Sequence, residues 1–121
     1  MQNIAPPFEP LHRLFRGDLG RIARVLEIFE RVTREDLERL ERAYGSHDWA
    51  SVGMLAHRMK AGCLQIGETT AAAGLSFLEQ AVSAGNTGDE LIHKFATTRT
   101  ELDGVMMRVA LYLATKDGMS K

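Results

Sequence analysis

The chain has 121 residues, 45% apolar and 26% charged, a globular composition at the size of one domain that excludes a second independent core. Basic and acidic side chains nearly cancel, 15 against 16 for a net charge of −1, which excludes a general nucleic-acid or polybasic membrane binder. The single cysteine, Cys63, excludes an intramolecular disulfide and any CxxC site and fits a reducing compartment. No apolar run nears the roughly 20 residues of a membrane span. The first ten residues lack the basic start and apolar stretch of a signal peptide, so a cytoplasmic location is expected.

All three prolines, Pro6, Pro7 and Pro10, fall in the first ten residues, and nothing after them forbids long helices. Residues 1–10 read as an extended lead-in. Leu11, Leu14 and Phe15 are spaced as one short helical turn that stops near Gly17. From an N-cap at Asp18, the apolar positions Leu19, Ile22, Val25, Leu26 and Phe29 recur at three- and four-residue steps, and the pattern continues through Leu37, Leu40 and Tyr44 to Gly45. Thr33 followed by Asp36 resembles a weak capping box and predicts a kink or break there. The run from Arg34 to Arg39 reads as a solvated face with i,i+4 pairs. A further helix is predicted from His47 or Asp48 to Ile66, stopped by Gly67, and another from Thr69 or Thr70 to about Ala84. After the turn Gly85-Asn86-Thr87-Gly88, the last helix spans Asp89 to Ala114 with Leu91, Ile92, Phe95, Leu102, Val105, Met106, Val109 and Leu113 as its apolar positions. Residues 116–121 read as a polar tail. With no strand pattern, the expected fold is all-α: one domain over residues 11–115, an antiparallel four-helix bundle with a short additional N-terminal helix.

The third predicted helix carries the chemistry. At about 100° per residue, Trp49, Val52, Ala56, Met59, Cys63 and Ile66 fall on one arc and form the core stripe. Cys63 on that stripe reads as a buried, inert thiol. His57 lies roughly 135° from the stripe's centre and should face solvent. Gly53 and Ala61, four residues to either side, are small and would leave the imidazole accessible, and Lys60 places a cation one turn away. Met54 and Leu64 are apolar yet lie off the core stripe.

The segment Ala56-His57-Arg58-Met59-Lys60-Ala61-Gly62-Cys63-Leu64-Gln65-Ile66-Gly67 resembles the signature of histidine-containing phosphotransfer (HPt) domains, roughly A-H-x-L-K-G, five residues, then G. Ala56, His57, Lys60 and Gly67 match, and Met59 stands for a similar apolar residue. The Gly-Asp start of the second helix, the run ending in Phe29, Asp36-Leu37-x-x-Leu40 and Leu78-Glu79 extend the resemblance over about Phe8 to Leu113. It is nearest to the HPt modules at the C-termini of hybrid sensor kinases. The family's usual glycine after the lysine is Ala61 here, which adds a methyl group beside the histidine and removes no reacting group.

The resemblance implies a phosphorelay intermediate: His57 accepts a phosphoryl group from a receiver-domain phospho-aspartate and passes it to another receiver aspartate, with Lys60 stabilising the phosphoryl oxygens. Glu79 corresponds to a position near the histidine in that family. His57 and Glu79 each stand 11 positions from Glu68, at one height, about 16 Å, in an antiparallel pair of helices that reverses near that residue. The implied partners are response-regulator receiver domains and a sensor histidine kinase, met through Gly53, Met54, Arg58, Ala61, Leu64 and Gln65. Mg²⁺ is expected on the receiver and no cofactor on this chain. No GxxxxGK[ST] or GxGxxG loop is present, so a phosphocarrier without kinase activity is expected. His12, His47, His57 and His93 lack metal-ligand spacing, so no metal is expected. A monomer is the default. Two other readings stand beside this one. The first is an HPt-like adaptor without phosphotransfer. The second is a helix-turn-helix protein around Met59 to Thr70, disfavoured by the neutral charge and long helices, so no nucleic-acid or membrane partner is expected.

Overall fold

The computed structural model describes residues 7–119 and is all-helical among them, with α1 over Glu9–Leu14, α2 over Leu19–Gly45, α3 over Trp49–Ile66, α4 over Thr69–Ser83 and α5 over Asp89–Met119. Residues 1–6 of the expected lead-in, and residues 120 and 121 of the expected tail, lie outside the described residues. Two boundaries move. Glu9 and Pro10 belong to α1, because the proline ring presets φ for a first helical turn whose N–H needs no partner. α5 continues past Ala114 to Met119.

The helix starts follow the capping chemistry. Asp18 Oδ1 accepts from Arg21 N–H at 3.2 Å, and Asp48 Oδ1 accepts from Ser51 N–H at 3.2 Å while its Oδ2 accepts from the Ser51 hydroxyl at 2.7 Å. α3 ends at Gly67 in the left-handed region, φ 87°, where Glu68 N–H donates to the Cys63 carbonyl at 2.8 Å. No break interrupts α2 at Thr33. Thr33 is buried and the Asp36 carboxylate is taken by Arg58 of α3, so neither side chain folds back onto the backbone to cap it.

Contacts fix the relative directions of the four longer helices. Asp36 meets Arg58 and Tyr44 meets Trp49, so α2 and α3 are antiparallel. Lys60 meets Glu79 while Gly53 lies against Val82, so α3 and α4 are antiparallel. Glu68 meets Arg108 and Phe77 meets Lys94, which runs α5 against α4. α5 closes back on α2, with Tyr44 stacked on Phe95 at 3.8 Å between centroids and Arg99 paired with Glu41. α1 packs on α2 and α3. Near α5, Phe8 meets the Tyr112 ring edge-on at 5.5 Å, and the Tyr112 hydroxyl lies 3.0 Å from His12 Nε2.

Between the helices, Leu26, Leu40, Val52, Ile66, Leu75 and Leu102 are among the fully buried side chains. The α3 stripe is inside as expected, except that Trp49 is half-buried at the end of the core. Burial pushes the Cys63 thiol up to about 12, so it stays protonated and unreactive. Leu19 and Ile92, counted among the recurring apolar positions of α2 and α5, are exposed in the first turns of their helices. No helix among the described residues is long and apolar enough to cross a membrane.

The α3–α4 turn depends on one glycine. A Cβ at Gly67 would stand 2.8 Å from Pro10 Cδ and 3.1 Å from its Cγ, in a backbone conformation that L side chains rarely adopt. Gly67→Ala should therefore lose about 2 kcal/mol of stability, read as a lower urea midpoint at unchanged slope. A midpoint equal to that of the wild type would contradict the assigned turn geometry.

Candidate functional site

α3 presents His57 on its outer face, where the side chain is 66% exposed. Its Nδ1 lies 2.8 Å from Glu79 Oε2, so the two residues placed at one height by the count from Glu68 do meet. The second oxygen of the same carboxylate, Oε1, accepts from Lys60 Nζ at 3.0 Å. Glu79 thus bridges two side chains of α3 from the facing helix.

The Lys60 ammonium holds the Glu79 carboxyl below the usual glutamate range, with the imidazole contact adding to it. An ionised carboxylate can only accept hydrogen bonds. The proton between Glu79 and His57 therefore sits on Nδ1, and in the neutral ring the lone pair is on Nε2, away from Glu79. Because folding depresses the Glu79 pKa, its contribution to stability is complete above the ordinary value of 4.5 and is lost as pH falls through the lower folded-state value.

The other singled-out residues divide. Met54 and Leu64 are more than half exposed, and Ala61 and Gln65 are exposed with them. Lys60 is not a free cation beside His57: it is largely buried and spends its charge on Glu79. Gly53 serves helix packing, since a Cβ there would stand 3.2 Å from Val82 Cγ2 of α4. Its lack of a side chain spares α3 and α4 a tight contact about one turn from the level of His57 and Glu79.

Arg58 is committed elsewhere. Its Nε and Nη2 donate to Asp36 Oδ2 at 3.1 Å and Oδ1 at 2.6 Å, a two-pronged pair between α3 and α2. This corrects the reading of residues 34–39 as a wholly solvated face, because the Asp36 side chain is only 5% exposed. The signal was present in the sequence. Asp36 continues the row Leu26, Phe29, Thr33 at three- and four-residue steps, on the buried side of α2.

One cleft contains the histidine and two grooves lie on the α2 side of α3. A cleft of about 530 Å³ between α3 and α4 is lined by Trp49, Gly53, Met54, His57, Glu79 and Val82 among others. An apolar groove of about 320 Å³ between α2 and α3 includes Val25, Ile28, Val32, Gly62 and Gln65, and Ile28 and Val32 are exposed along it. A second groove, of about 390 Å³, contains Arg39, Arg42, Met54 and Arg58. The α2 residues in these grooves were missed by reasoning centred on α3. Their signal was apolar Ile28 and Val32 lying beside the core row of α2. No group of three or more His, Cys, Asp or Glu side chains able to hold a metal occurs among the described residues.

Comparison of the chain with family models, with curated proteins and with solved structures gives no match in any of the three.

Arg58→Met would leave the Asp36 carboxylate buried without a partner. Water can reach the half-exposed Arg58 position, so the expected loss is about 2 kcal/mol, below that for a fully buried pair. Urea unfolding measures it. No loss of stability would return Arg58 to the role of a purely external contact residue.

Proposed function

We propose that this protein is a phosphocarrier of the histidine-containing phosphotransfer type, in which α2 to α5 form an antiparallel four-helix bundle and α1 is a short additional helix. The observation that carries the proposal is the 2.8 Å contact of Glu79 with Nδ1 of an exposed histidine. That contact orients the ring and directs its nucleophilic nitrogen outward. Support also comes from the resemblance of residues 56–67 to the HPt signature.

In the proposed reaction the Nε2 lone pair attacks the phosphorus of a receiver-domain aspartyl phosphate. The Nε2–P bond forms as the P–O bond to the aspartate breaks, and the receiver carboxylate leaves with the bonding electrons. The ring keeps its Nδ1 proton and gains positive charge, which the Glu79 carboxylate offsets. In the return step a second receiver aspartate attacks the same phosphorus and the Nε2–P bond breaks. The leaving group is then a neutral imidazole, because Nδ1 is already protonated. Lys60 has a correspondingly modified role. A bare carboxylate beside a phosphoryl group would repel it, and the ammonium on Oε1 cancels that charge.

Catalysis of this kind is mostly positioning and charge stabilisation, so the carrier needs little beyond an aimed nucleophile. Mg²⁺ belongs to the receiver in this scheme, and the chain needs no cofactor of its own. The outward face around His57, with Met54, Ala61, Leu64 and Gln65, is the proposed receiver contact.

Incubation with a panel of phosphorylated receiver domains and Mg²⁺ tests the proposal. Wild type should acquire acid-labile phosphate, and His57→Gln should acquire none while remaining folded. A folded wild type that binds a receiver yet takes no phosphate would favour an adaptor of the same shape.

A further inference from the structure

The surface around His57 is electrostatically lopsided. On one side stands α4, whose only charged residue between Thr69 and Ser83 is Glu79, already neutralised by Lys60. On the other side is the groove that contains Arg39, Arg42, Met54 and Arg58. Arg58 is spent on Asp36. Arg39 and Arg42 are exposed and form no ion pair among the described residues, although α2 carries several carboxylates. Glu41 is taken by Arg99 of α5, and Asp36 by Arg58. Asp48, also in the groove, holds Ser51 with both oxygens and stays ionised, so the lining is basic by Arg39 and Arg42 against one carboxylate. Glu35 and Glu38 lie one turn before Arg39 and Arg42 on the same helix, outside the groove lining.

Two like charges three residues apart on a helix oppose its stability. Neither Glu35 nor Glu38, the carboxylates one turn away, closes an ion pair with them among the described residues. Their position is informative. The groove meets α3 at Ser51 and Met54, which lie six and three residues before His57, or about 9 and 5 Å along the helix axis. The groove thus borders the face that presents His57, and its charges contribute to the field a partner meets on approach, most strongly at low ionic strength.

We infer that Arg39 and Arg42 form an electrostatic docking site for acidic side chains of the phosphoryl-donating receiver domain, fixing which way round it settles on His57. The inference rests on the phosphocarrier reading, which requires a partner carrying its phosphoryl group on a carboxylate. Such a partner brings concentrated negative charge to this face. The neutral α4 side offers it nothing comparable, so the basic groove and the apolar surface of Met54 together define an orientation. Because Arg39 and Arg42 touch none of the reacting atoms, they are positioning residues that act on encounter.

The test compares wild type, Arg39→Glu/Arg42→Glu and the milder Arg39→Gln/Arg42→Gln. Each is labelled by a receiver domain that phosphorylates the wild type, and separately by phosphoramidate. That small donor loses ammonia as the Nε2–P bond forms and needs no docking surface. At low salt the charge-reversed variant should accept phosphate from the receiver about tenfold more slowly or worse, with the glutamine variant between. The wild-type rate should fall with added salt and converge on that of the variants near 1 M, while phosphoramidate labelling stays equal throughout. Equal receiver rates at low salt would overturn the docking site and leave the phosphocarrier reading intact. Slower phosphoramidate labelling of the variants would overturn it too, by placing the arginines in the chemistry or the fold. If no receiver labels the wild type, the phosphocarrier reading fails and the docking site falls with it.

Discussion

A single carboxylate ties the site together. Glu79 reaches from α4 to α3 and holds His57 with one oxygen and Lys60 with the other. Everything around it serves that reach. Gly53 spares the two helices a tight contact, with Val82 Cγ2 where a Cβ would press. The Gly67 turn, close against Pro10, sets the register in which residues 57 and 79 stand level. The charge balance is as constrained as the geometry. Without Lys60, Glu79 would present a bare negative charge beside the position a phosphoryl group takes in the proposed reaction. Without Glu79, the imidazole would be free to carry its proton on either nitrogen.

The second cross-helix pair, Asp36 with Arg58, anchors the other side of α3. His57 and Arg58 are adjacent, yet one faces outward while the other bends toward α2. The helix that presents His57 is therefore held on both flanks by charged hydrogen bonds, with the apolar stripe of Val52, Met59, Cys63 and Ile66 beneath it. Such a support favours a rigid presentation of the imidazole. It leaves the receiver, in the proposed reaction, to supply the metal and most of the charge stabilisation.

Much of this was legible in the residues. The cap at Asp18, the helix start near Asp48, the stop at Gly67 and the inward stripe of α3 follow from local chemistry, which the surrounding structure does not override. The His57–Glu79 meeting followed from counting out from the turn. What could not be read was which groups of opposite charge choose one another across helices. Arg58 looks as external as Lys60 in the sequence, but one pairs with α2 and the other with α4. Asp36 lies on a buried row that its spacing carries, but its partner on α3 was not legible. Gly53 lines the cleft beside His57, and its other neighbour, Val82 of α4, was not legible. These outcomes depend on interhelical distance, and a helical wheel carries no information about it.

The central claim is that Glu79 keeps the His57 proton on Nδ1 and leaves Nε2 as the nucleophile. Nitrogen-15 NMR of the imidazole, in wild type and in Glu79→Ala at neutral pH, tests it most directly. In the fraction of protein whose ring is neutral, the account predicts a protonated Nδ1 and a bare Nε2 in the wild type, and loss of that preference in the variant. A wild-type ring protonated mainly on Nε2, or a tautomer balance unchanged by removing Glu79, would contradict it.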